Sequence, residues 1–219
     1  GKENFYSGIE LREWACLHRM QHIQRDSGVP LATLREVEEH DAILILGEDI
    51  TQTAARLALA VRQAVKGKAR QMASELKIDA WQAAAIKTVG QDARHPLLVT
   101  SIDQTRLDDV AELTFHGAYD DQARIGFALA HLLDETAPAV ADLRPAELAL
   151  AQQMQQALAS AKRPLIIAGT TAGSVALLDA ALNVAKALQL RQQSPSFFFV
   201  AQEVNSMGAA LLGGQPLES

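Results

Sequence analysis

The sequence predicts an α/β fold in which parallel strands are flanked by helices in Rossmann-like units. Three observations carry this. Residues 42–46, AILIL, form an unbroken apolar run that meets Gly47 and then a helical pattern. A strand with no polar alternation suits the middle of a parallel sheet, covered on both faces. The same strand–Gly–helix layout returns at residues 165–168 and Gly169, about 120 residues later, and alternating strands and helices build right-handed parallel units. The composition agrees: the chain is 48% hydrophobic but only 5% aromatic, and its abundance of Ala and Leu favours helix over a β-sandwich.

The elements follow in order. Residues 7–26 read as a helix whose apolar positions Leu11, Trp14, Leu17, Met20 and Ile23 recur every third residue. Ser7 is placed to cap it, with Glu10 as capping-box partner, and Ser27, Gly28 and Pro30 end it. A short helix or turn, LATLREVEEH, leads into the strand at 42–46. The next helix covers 52–65, with Ala54, Leu57, Ala58, Val61 and Val65 on one face. Residues 69–89 read as helical, anchored by Trp81 and Ile86. Pro96 introduces a second strand, LLVT. Asp103 and Thr105 are placed to cap a short helix through Ala111, and LTF at 113–115 reads as a third strand. A helix from Asp120 or Asp121 to Leu133 carries Ile125, Leu129 and Leu132. DETAPAVADLRPAE is aperiodic and reads as a linker. Pro145 suits the first turn of a helix with Leu148, Ala151, Met154 and Leu158 on its apolar side. After the strand at 165–168 and a turn at 169–173, a helix over 174–188 aligns Val175, Leu178, Leu182 and Ala185. Residues 197–201 form the last strand. Residues 1–137 are thus a first α/β unit with an N-terminal helix, and residues 138–219 a second. The start at Gly1 and the end in GGQPLES read as cuts in a longer polypeptide, the second unit being truncated.

The bulk properties exclude several function classes. A net charge of −6 argues against a general nucleic-acid footprint. One cysteine, Cys16, cannot build a disulfide framework, a zinc ribbon or an iron–sulfur cluster. No apolar run approaches the roughly 20 residues that span a bilayer, and no signal-peptide layout opens the sequence.

Ligands of open α/β sheets bind beyond the carboxyl ends of strands, so Gly47, Asp103, Gly169 and Asn205 mark the first loops to inspect. Neither GEDITQ nor GTTAGS matches the G-x-G-x-x-G dinucleotide fingerprint or the nucleotide P-loop. In the first loop Glu48 and Asp49 put carboxylates where a phosphate would sit, and Asp49 or Thr51 caps the helix itself. The second loop, Gly169, Thr170, Thr171 and Gly173 before Ser174, has small residues and hydroxyls and no carboxylate. It is read as a compact turn with Ser174 as cap, or as an anion or backbone site. His18 and His22 have metal-ligand spacing, but Arg19 stands where a zinc protease needs Glu. Cys16 reads as a buried thiol. Asp103, Asp108 and Asp109 around Arg106 read as caps and ion pairs. No catalytic set and no metal site emerge.

Several stretches carry a family likeness. DAILILGEDITQTAARLALAVRQAVKGKAR, HPLLVTSIDQTRLDDVAELTF, DDQARIGFALAHLLD, KRPLIIAGTTAGSVALLDAALNVAKAL and EVNSMGAALLGG resemble the G-subunit family of bacterial NADH-quinone oxidoreductase, respiratory complex I. The likeness runs from about residue 7 to the end. That family is part of the molybdopterin oxidoreductase superfamily, whose first strand-end loop is usually G-x-N-P, close to the pterin dinucleotide, and whose second strand ends in an Asp-Pro-Arg type motif. Here Glu48, Asp49 and Ile50 follow Gly47, and Gln104 and Thr105 separate Asp103 from Arg106. The resemblance therefore implies a molybdopterin-type fold whose cofactor site has been lost, with no cofactor in this segment. It implies iron–sulfur clusters elsewhere in the full-length polypeptide, a scaffold role supporting electron transfer from NADH to quinone, and other subunits of the peripheral arm as partners. It also implies a soluble segment on the cytoplasmic side of the inner membrane. The alternatives are a molybdopterin-guanine-dinucleotide-binding enzyme body and a small-molecule or nucleotide binding module.

Overall fold

The computed structural model describes residues 4–216. The expected cut ends, Gly1 and the last residues of GGQPLES, lie outside them. The described strands are β1 (Tyr6–Ser7), β2 (Ala42–Leu46), β3 (Leu97–Ser101), β4 (Leu113–His116), β5 (Pro164–Gly169), β6 (Ser196–Val200) and β7 (Gln215–Pro216). The helices are α1 (Leu11–Asp26), α2 (Ile50–Thr53), α3 (Ala55–Val65), α4 (Gly67–Glu75), α5 (Ala83–Gly90), α6 (Tyr119–Leu133), α7 (Pro145–Ala159), α8 (Val175–Leu190) and α9 (Ser206–Leu211). Five strands form one parallel sheet in the order β4–β3–β2–β5–β6, and β1 pairs with β7 apart from it.

The register shows how the two sequence halves meet. Ile43, Leu44 and Ile45 pair with Leu97, Leu98 and Val99 on one side and with Leu165, Ile166 and Ile167 on the other. The two strand–Gly–helix units are therefore neighbours within a single sheet. Their central strands are wholly buried, as continuous apolar runs require.

Alternate side chains feed two cores. Leu44, Leu46, Leu98, Ile166 and Ala168 pack under α1, α6, α7 and α8. Ile43, Ile45, Leu97, Val99, Leu165 and Ile167 pack under α2 and α3. Fully burying a side chain of this size contributes about 1.5–3 kcal/mol, so the sheet is the stable frame that holds the strand-end loops.

Several local expectations change, each for a physical reason. Ser7 is in β1 rather than capping α1, which opens at Glu10 without a side-chain cap. The helix expected over 52–65 breaks at Ala54, with φ −144° and ψ 59°. The one expected over 69–89 stops where Lys77 enters the left-handed region at φ 58°, and Trp81 is 80% exposed rather than an anchor. Leu11 and Leu148, read as core-facing, are 47% and 42% exposed.

Between Asp103 and Ala111 there is no helix but a run of turns. Side chains take the backbone donors there: Asp103 Oδ1 accepts from Gln104 N–H at 2.7 Å, Asp108 Oδ1 from Thr105 N–H at 3.2 Å, and Thr105 Oγ1 from Leu107 N–H at 3.2 Å. Asx and Thr side chains compete with helical bonds in this way. Elsewhere between α1 and β6 the helices and strands lie within a few residues of their expected positions, and Pro145 opens α7, but a further strand, β7, follows the one expected to be last.

Candidate functional site

The polypeptide runs outward from β2 to β3 and β4, then returns to place β5 on the other side of β2. The strand order reverses between β2 and β5, which is the crevice where open α/β sheets bind ligands. Two of the expected loops, at Gly47 and Gly169, flank it.

The structure brings those loops into direct contact. Glu48 Oε1 accepts from the Thr171 N–H at 3.1 Å across the crevice. Glu48 is 1% exposed, and its Oε2 has no hydrogen-bond partner among the described residues. Burial pushes its carboxyl from an ordinary 4.5 up to about 7, the Thr171 hydrogen bonds pull the other way, and Asp49 raises it further. The neighbourhood registers the same charge. The Cys16 thiol, fully buried, is pushed up to about 11 by burial, then by Glu48 and Glu13. The Tyr119 phenol is raised by burial and by Glu48.

The two carboxylates of GEDI therefore part company. Asp49 caps α2, its Oδ1 accepting from Thr51 N–H at 3.0 Å and from Thr51 Oγ1 at 2.5 Å. Glu48 does not guard that helix but crosses to the second loop. Both glycines are needed for the closure. Gly47 has φ +76°, and a Cβ on it would lie 2.5 Å from Leu177 Cδ1. A Cβ on Gly169 would lie 2.3 Å from the Val200 carbonyl oxygen and 2.5 Å from Glu48 Oε1. Gly47 N–H reaches Thr100 at the end of β3. Thr170 bridges to β6 and beyond through Val200 and Gln202. Gly173, at φ +56°, closes the turn on Thr170. Ser174 stands at the N-cap of α8 without a side-chain cap bond.

The other two expected residues are not part of this cluster. Asp103 is exposed on the turn after β3 and bonds to its own neighbour, Gln104. Asn205 is exposed at the start of α9. His18 packs against Trp14, with ring centroids 3.8 Å apart, while His22 turns to Asp26 at 3.1 Å. Among the described residues no three His, Cys, Asp or Glu side chains gather as metal ligands.

One constellation went unread in the sequence. His116 at the end of β4 pairs in register with Ser101 at the end of β3. Its Nδ1 lies 3.0 Å from Ser101 Oγ and its Nε2 lies 2.8 Å from Asp108 Oδ2. The Ser101 hydroxyl donates to the Asp103 carbonyl at 2.6 Å and is 3% exposed. A nucleophilic serine must donate to its imidazole and face substrate, so this row instead ties two strand ends to the intervening turn. Fifteen positions separate Ser101 from His116; only the β3–β4 register joins them.

The crevice residues do not fit a pterin dinucleotide. Glu48 is buried between the two loops that would approach a pyrophosphate, and its ionised form would oppose an anion there. The single buried thiol does not fit an iron–sulfur cluster, which needs several thiolates.

Fold and site together define a Rossmann-like parallel α/β unit whose switch-point crevice is closed by its own carboxylate. No family model matches the sequence. Curated relatives do: the NADH-quinone oxidoreductase G subunit of Shewanella oneidensis is 54% identical over 221 residues, that of Pseudomonas fluorescens 52% over 219, and that of Escherichia coli K12 52% over 218. Each alignment covers 100% of this chain and 24% of the relative. The chain thus belongs to the family of NADH-quinone oxidoreductase G subunits, as a segment spanning about a quarter of the length of these relatives. Among solved structures, the formyltransferase/hydrolase complex of Methylorubrum extorquens, in complex with methylofuran, shares the fold alone. The TM-score is 0.55 and the identity 13%, covering 93% of this chain and 50% of that one.

Proposed function

We propose that this chain is a cofactor-free structural segment of the G subunit in the peripheral arm of NADH-quinone oxidoreductase, supporting electron transfer from NADH to quinone. It holds its parent subunit in shape on the cytoplasmic side of the membrane while iron–sulfur clusters elsewhere in that subunit carry the electrons. Identity above 50% to these relatives along the whole sequence supports the placement. The observation that carries the cofactor-free reading is Glu48, buried between the two loops that would cradle a phosphate. No helix among the described residues is long and apolar enough to cross a membrane, which agrees with attachment through other subunits. The fold descends, in this reading, from a molybdopterin-type body whose first loop, G-x-N-P, now reads Gly47, Glu48, Asp49 and Ile50, with the Asn-Pro gone.

The test is loading. The protein is incubated anaerobically with iron and sulfide, and separately with molybdopterin guanine dinucleotide, then desalted and assayed for bound metal and pterin. Neither is expected to stay bound. One equivalent of either per polypeptide would overturn the reading.

A further inference from the structure

The α4–α5 hairpin stands out from the rest of the molecule. Its helices pack mainly on each other, and in α4 only Ala73 is buried and in α5 only Gly90. Between them lies a cleft of about 530 Å³ floored by Ala69, Ala83 and Ile86 and rimmed by Lys66, Arg70, Lys87 and Arg94, with Asp92 the one carboxylate in its lining. Residues 66–94 carry six Lys or Arg against three Asp or Glu, in a protein whose net charge is −6.

The four rim cations are exposed, and none makes an ion pair among the described residues. Arg70 donates only to the Gln63 side-chain oxygen at 3.1 Å, and Arg94 only to the Asp109 carbonyl at 3.4 Å. On the segment that joins the helices, Leu76 is 63% and Trp81 80% exposed, Trp81 following directly on the lining residue Ala80.

We propose that this hairpin is a docking surface for an acidic segment of a neighbouring subunit, with Trp81 as the apolar anchor and the four cations as the surrounding charge. This rests on the reading of the chain as part of an assembled complex. Tryptophan and arginine are the residues that most often dominate protein interfaces, and here an exposed Trp81 follows the lining residue Ala80 of a cleft that also carries the exposed Arg70 and Arg94. The charge identifies the partner as acidic. The same charge points to a separate molecule, because an unpaired field speeds and selects encounters between polypeptides, whereas segments already joined in one polypeptide gain little from it.

The experiment uses the full-length G subunit expressed with the rest of its complex. A photo-crosslinking benzoylphenylalanine replaces Trp81, and mass spectrometry maps the product. In parallel, Arg70→Glu with Lys87→Glu competes with tagged wild type for incorporation, and Arg70→Lys with Lys87→Arg serves as the charge-conserving control. The expected results are a crosslink to an Asp/Glu-rich stretch of another subunit and about tenfold poorer incorporation of the reversed pair. The conservative pair should match wild type, with circular dichroism unchanged in both.

A crosslink confined to the parent subunit itself, a crosslink to a non-acidic stretch, the lack of any crosslink, or equal incorporation of the reversed pair would each overturn the proposal. So would a thermal shift of the wild type with inorganic phosphate or ATP in place of a crosslink, which would make the cleft a small-molecule site. Failure of the wild-type subunit to join any complex would instead defeat the functional reading beneath it.

Discussion

Replacing Glu48 by Gln isolates the charge that closes the crevice. The amide keeps the shape and can still accept the Thr171 N–H, but it cannot ionise. In the folded protein the carboxyl is raised from 4.5 to about 7, so between those pH values the folded state holds a proton that the unfolded state has released. Stability then falls as pH rises through the window. At about 1.4 kcal/mol per pH unit, the interval from 4.5 to about 7 amounts to roughly 3 kcal/mol lost by pH 8. His18, His40 and His95 are all held below their ordinary value by burial. They act with the opposite sign: the folded state binds fewer protons, and stability rises with pH until the unfolded histidines have deprotonated. They are present in both proteins, so they cancel in the difference. Urea unfolding of wild type and variant at half-unit steps from pH 5 to 8.5 measures it. The stability of Glu48→Gln relative to wild type should climb by about 2.5 kcal/mol across that range. A difference that stays level with pH would refute both the buried ionisable carboxylate and the account of the crevice built on it.

Four further outcomes are expected. Gly169→Ala should cost about 3 kcal/mol or more, because its Cβ meets the Val200 carbonyl and Glu48 Oε1. Gly47→Ala should lose stability both to backbone strain at φ +76° and to the clash with Leu177; urea midpoints read both variants. Cys16 should resist iodoacetamide at pH 8 in the folded protein, since burial leaves about a hundredfold less thiolate than a free thiol would have and hides the sulfur as well. Full alkylation without denaturant would contradict its placement. Arg62→Ala removes the paired contacts to Asp109 at 3.0 and 2.7 Å, yet it should cost no more than about 1 kcal/mol because the pair is partly solvated; thermal unfolding in low and high salt checks this.

The central strands were legible because each is an apolar run in which nearly every residue must be buried. That pattern survives any arrangement of the neighbours. The cap at Asp49 and the closure of the turn by Gly173 N–H on the Thr170 carbonyl were legible too, since both are contacts within a few residues. The helix expected after Asp103 was misread because Asp and Thr side chains won the backbone donors that a helix would have used. Trp81 was misread because residue type alone cannot say whether an aromatic on a helical hairpin faces the core or the solvent.

By itself the sequence determined the class of fold, the burial of β2 and β5, the lack of thiolates for a cluster, and a family likeness that identity along its whole length bears out. Tertiary structure alone decided where the carboxylate of Glu48 goes. In the stretch GEDI, Glu48 and Asp49 both stand at one helix start. Only when β5 pairs beside β2 does the Thr171 N–H arrive 3.1 Å from Glu48, from 123 positions away in the sequence. The physical reason is range. Caps, turns and strand burial depend on neighbours in sequence, whereas a crevice and its charge exist only between segments that the sheet brings together.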